Sequence, residues 1–153
     1  MYFIENIDFW HENVLSHITR VEEKSILSLV EYIKSNIDAL NLEIKGNIFF
    51  RIFEIAEAKN YKILGIEVLI PVDKTFENTC HYVYKPIFKI ENSVFSKFNG
   101  KPEEIVEAGR KFENYAIKQN KSILTDVYYV IKNIFDDGSC ILDMYIGSDR
   151  NVL

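Results

Sequence analysis

Two cysteines in 153 residues, Cys80 and Cys140, are too few and too far apart to build a disulfide framework or a ligand-spaced metal pair. They read as two thiols, with a single disulfide between them as the alternative. No apolar run approaches the roughly 20 residues that cross a bilayer. The opening Met1 to Asp8 lacks the basic stretch and apolar run of a signal peptide. The six glycines are scattered among turns, so no glycine-rich phosphate loop forms. The three histidines, His11, His17 and His81, have no metal-ligand spacing. No serine sits in a Gly-x-Ser-x-Gly elbow and neither cysteine has a nucleophile setting, so no residue receives a catalytic role. Lysine and arginine number 18 against 23 acids, a net charge of −5 spread along the chain. Duplex nucleic acid needs clustered cations, and an anionic membrane surface attracts them too, so neither is an expected partner. These exclusions lead to the expectation of a cytoplasmic protein with no cofactor and no metal.

What is present is the composition of a globular chain, 48% apolar and 27% charged, of a length that fits one domain. After a short lead-in, Val14 to Val21 reads as a strand. Ile26, Leu29, Val30, Ile33, Ile37 and Leu40 then recur at helical spacing, and the helix is expected to end near Asn41. Ile48 to Ile55 and Tyr61 to Ile70 are β-branched and aromatic runs that read as a hairpin closed by Pro71. Asp73 to Thr79 reads as a connection. Tyr82 to Ile90 reads as a strand that Pro86 places at an edge or a bend, and Asn99-Gly100 reads as a turn. Pro102-Glu103-Glu104 opens a second helix, with the stripe Ile105, Ala108, Gly109, Phe112, Tyr115 and Ala116. Glu22-Glu23 likewise read as helix-start charges. Val127 to Ile134, the turn Asp136-Asp137-Gly138 and Cys140 to Ile146 read as a closing hairpin.

The pattern is internally duplicated. Ile26 and Ile105, Ile33 and Phe112, and Ile48-Phe49-Phe50 and Val127-Tyr128-Tyr129 are all 79 positions apart. Beyond the hairpin turn the offset is 76, which aligns Ile66 to Ile70 with Leu142 to Ile146. The expected fold is α+β: tandem βαββ repeats, about 10–72 and 80–149, forming an antiparallel sheet with two helices on one face and a cleft on the other.

Period-two alternation sends Ile66, Val68, Ile70, Leu142, Met144 and Ile146 to the helix side. Glu67 and Asp143 then fall on the opposite face, each in the middle of an apolar strand, where a carboxylate is costly to bury without a partner. Neighbouring strands add Phe49, Arg51 and Phe53, then Tyr128, Val130 and Lys132, to that face. Aromatic walls with acids between them suit a flat lipophilic cation. The plainer alternatives are solvated acids and an Arg51–Glu67 ion pair. Phe49, Phe53 and Tyr128 fit core and groove lining equally.

Tandem βαββ halves, with His81-Tyr82-Val83-Tyr84-Lys85-Pro86 opening the second and Leu142-Asp143-Met144-Tyr145-Ile146 closing it, resemble the GyrI-like, or AraC-type effector-binding, domains over essentially the whole chain. The resemblance implies a ligand cleft between two modules that receives lipophilic, often cationic compounds, with an acid on the final strand as a key contact. That position falls on Asp143, where the family more often carries glutamate, and Gly147 replaces a proline that commonly follows. By the same analogy Tyr145 and Tyr128 are aromatic walls. The ligand-binding set is therefore Glu67, Asp143, Tyr145, Tyr128, Phe49, Arg51 and Tyr84.

Three functions fit these residues. The first is a stand-alone module that senses or sequesters a small apolar or cationic molecule. The second is a protein-interaction or accessory role, as an enzyme modulator or beside a toxin or secretion system, with a protein partner and no small ligand. The third is a hydrolase using Glu67 or Asp143 as general base. Family members fused to DNA-binding helices are transcription regulators, but no helix-turn-helix segment precedes Tyr2 or follows Asp149 in this sequence. Homodimerisation is left open by the sequence.

Overall fold

The computed structural model describes residues 2–148; Asp149, the expected end of the second half, lies outside the described residues. The chain is α+β, with two βαββ repeats in antiparallel pairing. In order these are β1 (Ile4–Glu22), α1 (Ile26–Ala39), β2 (Phe49–Glu57), β3 (Lys62–Pro71), β4 (Val83–Gly100), α2 (Ile105–Lys118), β5 (Tyr128–Ile134) and β6 (Cys140–Gly147). No described helix is long and apolar enough to cross a membrane.

Two compact units are formed, one by Trp10–Phe88 and one by residues up to Phe9 together with those from Lys89 onward. In the first, β3 lies between β1 and β2; in the second, β6 lies between β4 and β5. The repeat extends to details that periodicity does not show. A bulge breaks the register between Ile52 and Glu54 in one unit and between Ile131 and Asn133 in the other, again 79 positions apart. Asn41 and Asn120 close the two helices in the left-handed region, with φ of 58° and 61°. Leu42 N–H donates to Ile37 O at 3.3 Å and Lys121 N–H to Ala116 O at 3.1 Å, satisfying carbonyls that the helix end would orphan.

Three expectations are corrected. β1 begins at Ile4, ten residues ahead of Val14, and its opening residues belong with β4: Ser93 Oγ donates to Ile7 O at 2.6 Å. Asn99-Gly100 is no turn but the end of β4, because Asn99 pairs with Ile141 and Gly100 with Cys140, and ladder pairing outweighs local turn preference. Glu22 ends β1, and Glu23–Ser25 and Pro102–Glu104 each form one 3-10 turn ahead of a helix.

The buried helix positions are Ile26, Leu27, Val30, Ile33 and Ile37 in α1, and Ile105, Val106, Gly109, Phe112 and Ala116 in α2. Leu29 and Ala108 sit at the margin of their stripes instead. Gly109 occupies the place of Val30, and Tyr129 the place of Phe50. A Cβ at Gly109 would stand 2.0 Å from Tyr129 Oη, so the added hydroxyl is accommodated by deleting the facing side chain. Tyr129 is buried and cannot swing aside into solvent. Gly109→Ala is therefore expected to lower stability by about 1–3 kcal/mol through overpacking, despite alanine's helix preference of about 1 kcal/mol. Adding Tyr129→Phe should recover most of the loss in a chemical denaturation series, and an additive double variant would refute the pairing.

Candidate functional site

Glu67 and Asp143 occupy equivalent places, each in the central strand of its unit, 76 positions apart. Glu67 lies opposite Ile18 on β1 and Arg51 on β2, while Asp143 lies opposite Lys97 on β4 and Val130 on β5. Directly paired residues of antiparallel strands share a face, so these contrasts decide what each carboxylate meets.

Glu67 is 3% exposed and fully engaged. Arg51 Nε donates to Oε1 at 2.7 Å, Lys85 Nζ donates to Oε2 at 3.0 Å, and Ser16 Oγ donates to Oε2 at 2.5 Å. Burial alone would raise its pKa, but the hydrogen bonds from Ser16, Arg51 and Lys85, with the charge of Lys85, outweigh it and hold the carboxyl below its usual value. The Arg51 guanidinium also lies 5.1 Å from the centre of the Phe53 ring, which covers Gly65 on the same face. Phe49 is fully buried, 4.9 Å from Phe88 and 5.8 Å from His11 between ring centres. Tyr84, at the start of β4, donates its hydroxyl to Asn13 Oδ1 rather than to an acid.

Asp143 has the opposite setting. Its Oδ1 is buried and accepts no hydrogen bond from any described residue. Burial pushes its carboxyl above the usual value, and the charges of Lys132 and Lys97 only partly oppose this. Where Glu67 has Arg51 and Ser16, Asp143 has Val130 and Phe95, which donate nothing. Tyr145, two residues along the same face, packs 4.8 Å from Phe9 and 5.1 Å from Phe95. Burial, then the charge of Asp143, raises the Tyr145 phenol, so it stays neutral. Tyr128 lies directly opposite Tyr145.

Glu67, Arg51, Phe49 and Tyr84 thus belong to one unit, and Asp143, Tyr145 and Tyr128 to the other. Sequence reading missed Ser16 and Lys85 around Glu67, and Phe9 and Phe95 around Tyr145. Only Ser16, a lone hydroxyl after Val14-Leu15, carried a signal. Two pockets of the first unit, about 590 Å³ beside Trp10, His11 and Lys45 and about 470 Å³ beside His17, Tyr32 and Tyr82, contain none of the expected residues. Cys80 and Cys140 are both free thiols; burial raises Cys140 to about 11, which leaves it unreactive at neutral pH. Among the described residues no group of three or more histidine, cysteine or acidic side chains is placed to hold a metal.

No protein-family model matches the sequence. No curated protein matches it either. Solved structures do match in fold. The chain resembles a protein in a cryo-EM structure of an EcmrR–DNA complex, with a TM-score of 0.71 and 11% identity over 97% of this chain and 58% of that one. It therefore spans little more than half of that protein's length. The EcmrR C-terminal domain alone gives a TM-score of 0.66 at 10% identity, covering 98% of this chain and 99% of the domain. A hydrolase from Listeria innocua gives 0.52 at 10% identity, over 97% and 91%. At such identities the likeness establishes a shared fold alone.

Proposed function

We propose that this chain is a binding protein of the GyrI-like kind for a small lipophilic cation, with Asp143 as the anionic contact and Tyr145, Phe95 and Tyr128 as its aromatic surroundings. The observation that carries the reading is the buried, unbonded Oδ1 of Asp143. A buried acceptor without a donor costs about 1–3 kcal/mol; the equivalent Glu67 accepts from three side chains, whereas Oδ1 of Asp143 accepts from none and meets Lys97 and Lys132 only through their charge. A ligand cation supplies the missing partner, and aromatic rings nearby favour one with an apolar or aryl body. The shared fold with the EcmrR C-terminal domain agrees with this reading.

The test is a thermal-shift screen of the full chain against tetraphenylphosphonium, protonated aryl amines, neutral aromatics and aryl carboxylates. A cation at about 100 times its Kd adds roughly 2.7 kcal/mol, a rise in Tm of about 5–10 °C for a chain this size. A shift by cations alone is the expected outcome. Equal shifts by neutral or anionic aromatics would remove Asp143 from the mechanism. No shift by any of them would reject the reading and turn the search to a protein partner by pull-down.

A further inference from the structure

We infer that Asp143 discriminates among cations by their N–H groups, taking protonated amines, amidines or guanidinium compounds in preference to permanently charged cations that have none. The inference rests on the small-cation reading above and specifies the ligand class of that site.

The internal repeat supplies the template. At Glu67, two cations of the chain itself are already bound, each through an N–H: the Arg51 guanidinium at 2.7 Å and the Lys85 ammonium at 3.0 Å, beside the Ser16 hydroxyl at 2.5 Å. At Asp143 the strand pairing is the same, but Val130 stands at the Arg51 position and Phe95 at the Ser16 position. Hydrocarbon has replaced those two donors; Lys97 lies directly opposite on β4, where the first unit has Ile18, yet Oδ1 is left buried without a hydrogen bond. A quaternary ammonium or phosphonium brings charge but surrounds it with alkyl or aryl groups, so Oδ1 stays unbonded and its desolvation uncompensated. An N–H cation restores both the charge and the bond, as Arg51 and Lys85 do at Glu67. The Tyr145 ring centre lies 4.8 Å from that of Phe9 and 5.1 Å from that of Phe95, and this aromatic cluster offers an aryl substituent edge and face contacts.

Isothermal titration of the unmodified chain with benzylammonium and with benzyltrimethylammonium tests this, since the two share ring and charge and differ in N–H. Benzylammonium is expected to bind at least about 10-fold tighter, the value of a hydrogen bond to a charged group. Equal or tighter binding of the trimethyl probe overturns the inference while leaving cation binding standing. If neither probe binds, a titration with tetraphenylphosphonium decides. Its binding, lost in Asp143→Asn, overturns the inference alone; its failure to bind overturns the cation reading and the inference together.

Discussion

Replacing Glu67 with glutamine is expected to remove about 2–3 kcal/mol of stability, a fall in Tm of roughly 5–10 °C, although the side chain keeps its shape. The carboxylate lies at the centre of its unit's sheet and binds Arg51, Lys85 and Ser16 at once. Glutamine keeps one acceptor oxygen, loses the charge that makes the Arg51 and Lys85 bonds strong, and turns an amide donor toward at least one of three donors. Two cations are then left side by side without their counterion. Breaking a fully buried pair costs about 3–5 kcal/mol; Arg51 and Lys85 are 26% and 37% exposed in their side chains, so water recovers part of that. Urea denaturation at pH 7 measures the effect, and a loss under about 0.5 kcal/mol would mean that water already screens the network.

The same network fixes a pH dependence. The folded pKa of Glu67 lies below its unfolded value, so its stabilising contribution is present in full above the unfolded pKa, near 4.3, and is lost as pH falls through the folded pKa. The gap between the parent chain and Glu67→Gln is therefore expected to be flat around neutrality and to narrow only below about pH 4. A gap that narrowed already between pH 6 and 7 would contradict the depressed pKa.

How much of this was legible in the sequence depends on the kind of pattern each feature leaves. The helices, the hairpins and the duplication were readable because burial imposes a period on residues such as Ile26, Val30, Ile33 and Ile37, and because a repeat doubles every signal. The full length of β1 was not, since its first residues alternate between partly covered and exposed positions without an apolar run. Asn99-Gly100 misled because turn preference is local, whereas its pairing with β6 is set 40 residues away. The placing of both carboxylates within apolar strands is legible in the sequence, and so is Arg51 as an ion-pair partner for Glu67. Their divergence is legible only in part: the 79-residue offset already sets Arg51 against Val130. Ser16 against Phe95 becomes informative only once the register aligns β1 with β4, and the donation from Lys85 only in the fold.

That divergence predicts opposite signs for the same substitution at equivalent places. Asp143→Asn is expected to weaken binding of a cationic ligand by about 10- to 100-fold, because the charge and the strongest acceptor disappear together. Without ligand, the same variant is expected to be more stable than the parent at pH 7, by about 0.5–1 kcal/mol or 1–4 °C, a modest figure because the residue is only partly buried. Burial raises the Asp143 carboxyl above its unfolded value, so its ionised form opposes folding. This penalty is complete above the folded pKa and absent below the unfolded value of about 3.9. The stability gain of Asp143→Asn should accordingly shrink as pH falls and vanish near pH 4, the reverse of the trend at neutral pH for Glu67→Gln, which loses stability there. Thermal unfolding of both variants across pH 3.5–8, with and without ligand, measures all four quantities in one series. A binding site retained at the expense of stability gives lower affinity and higher Tm together. If Asp143→Asn instead lowered Tm at pH 7 as Glu67→Gln does, Asp143 would be a structural ion like its counterpart, and its place in ligand binding would fall.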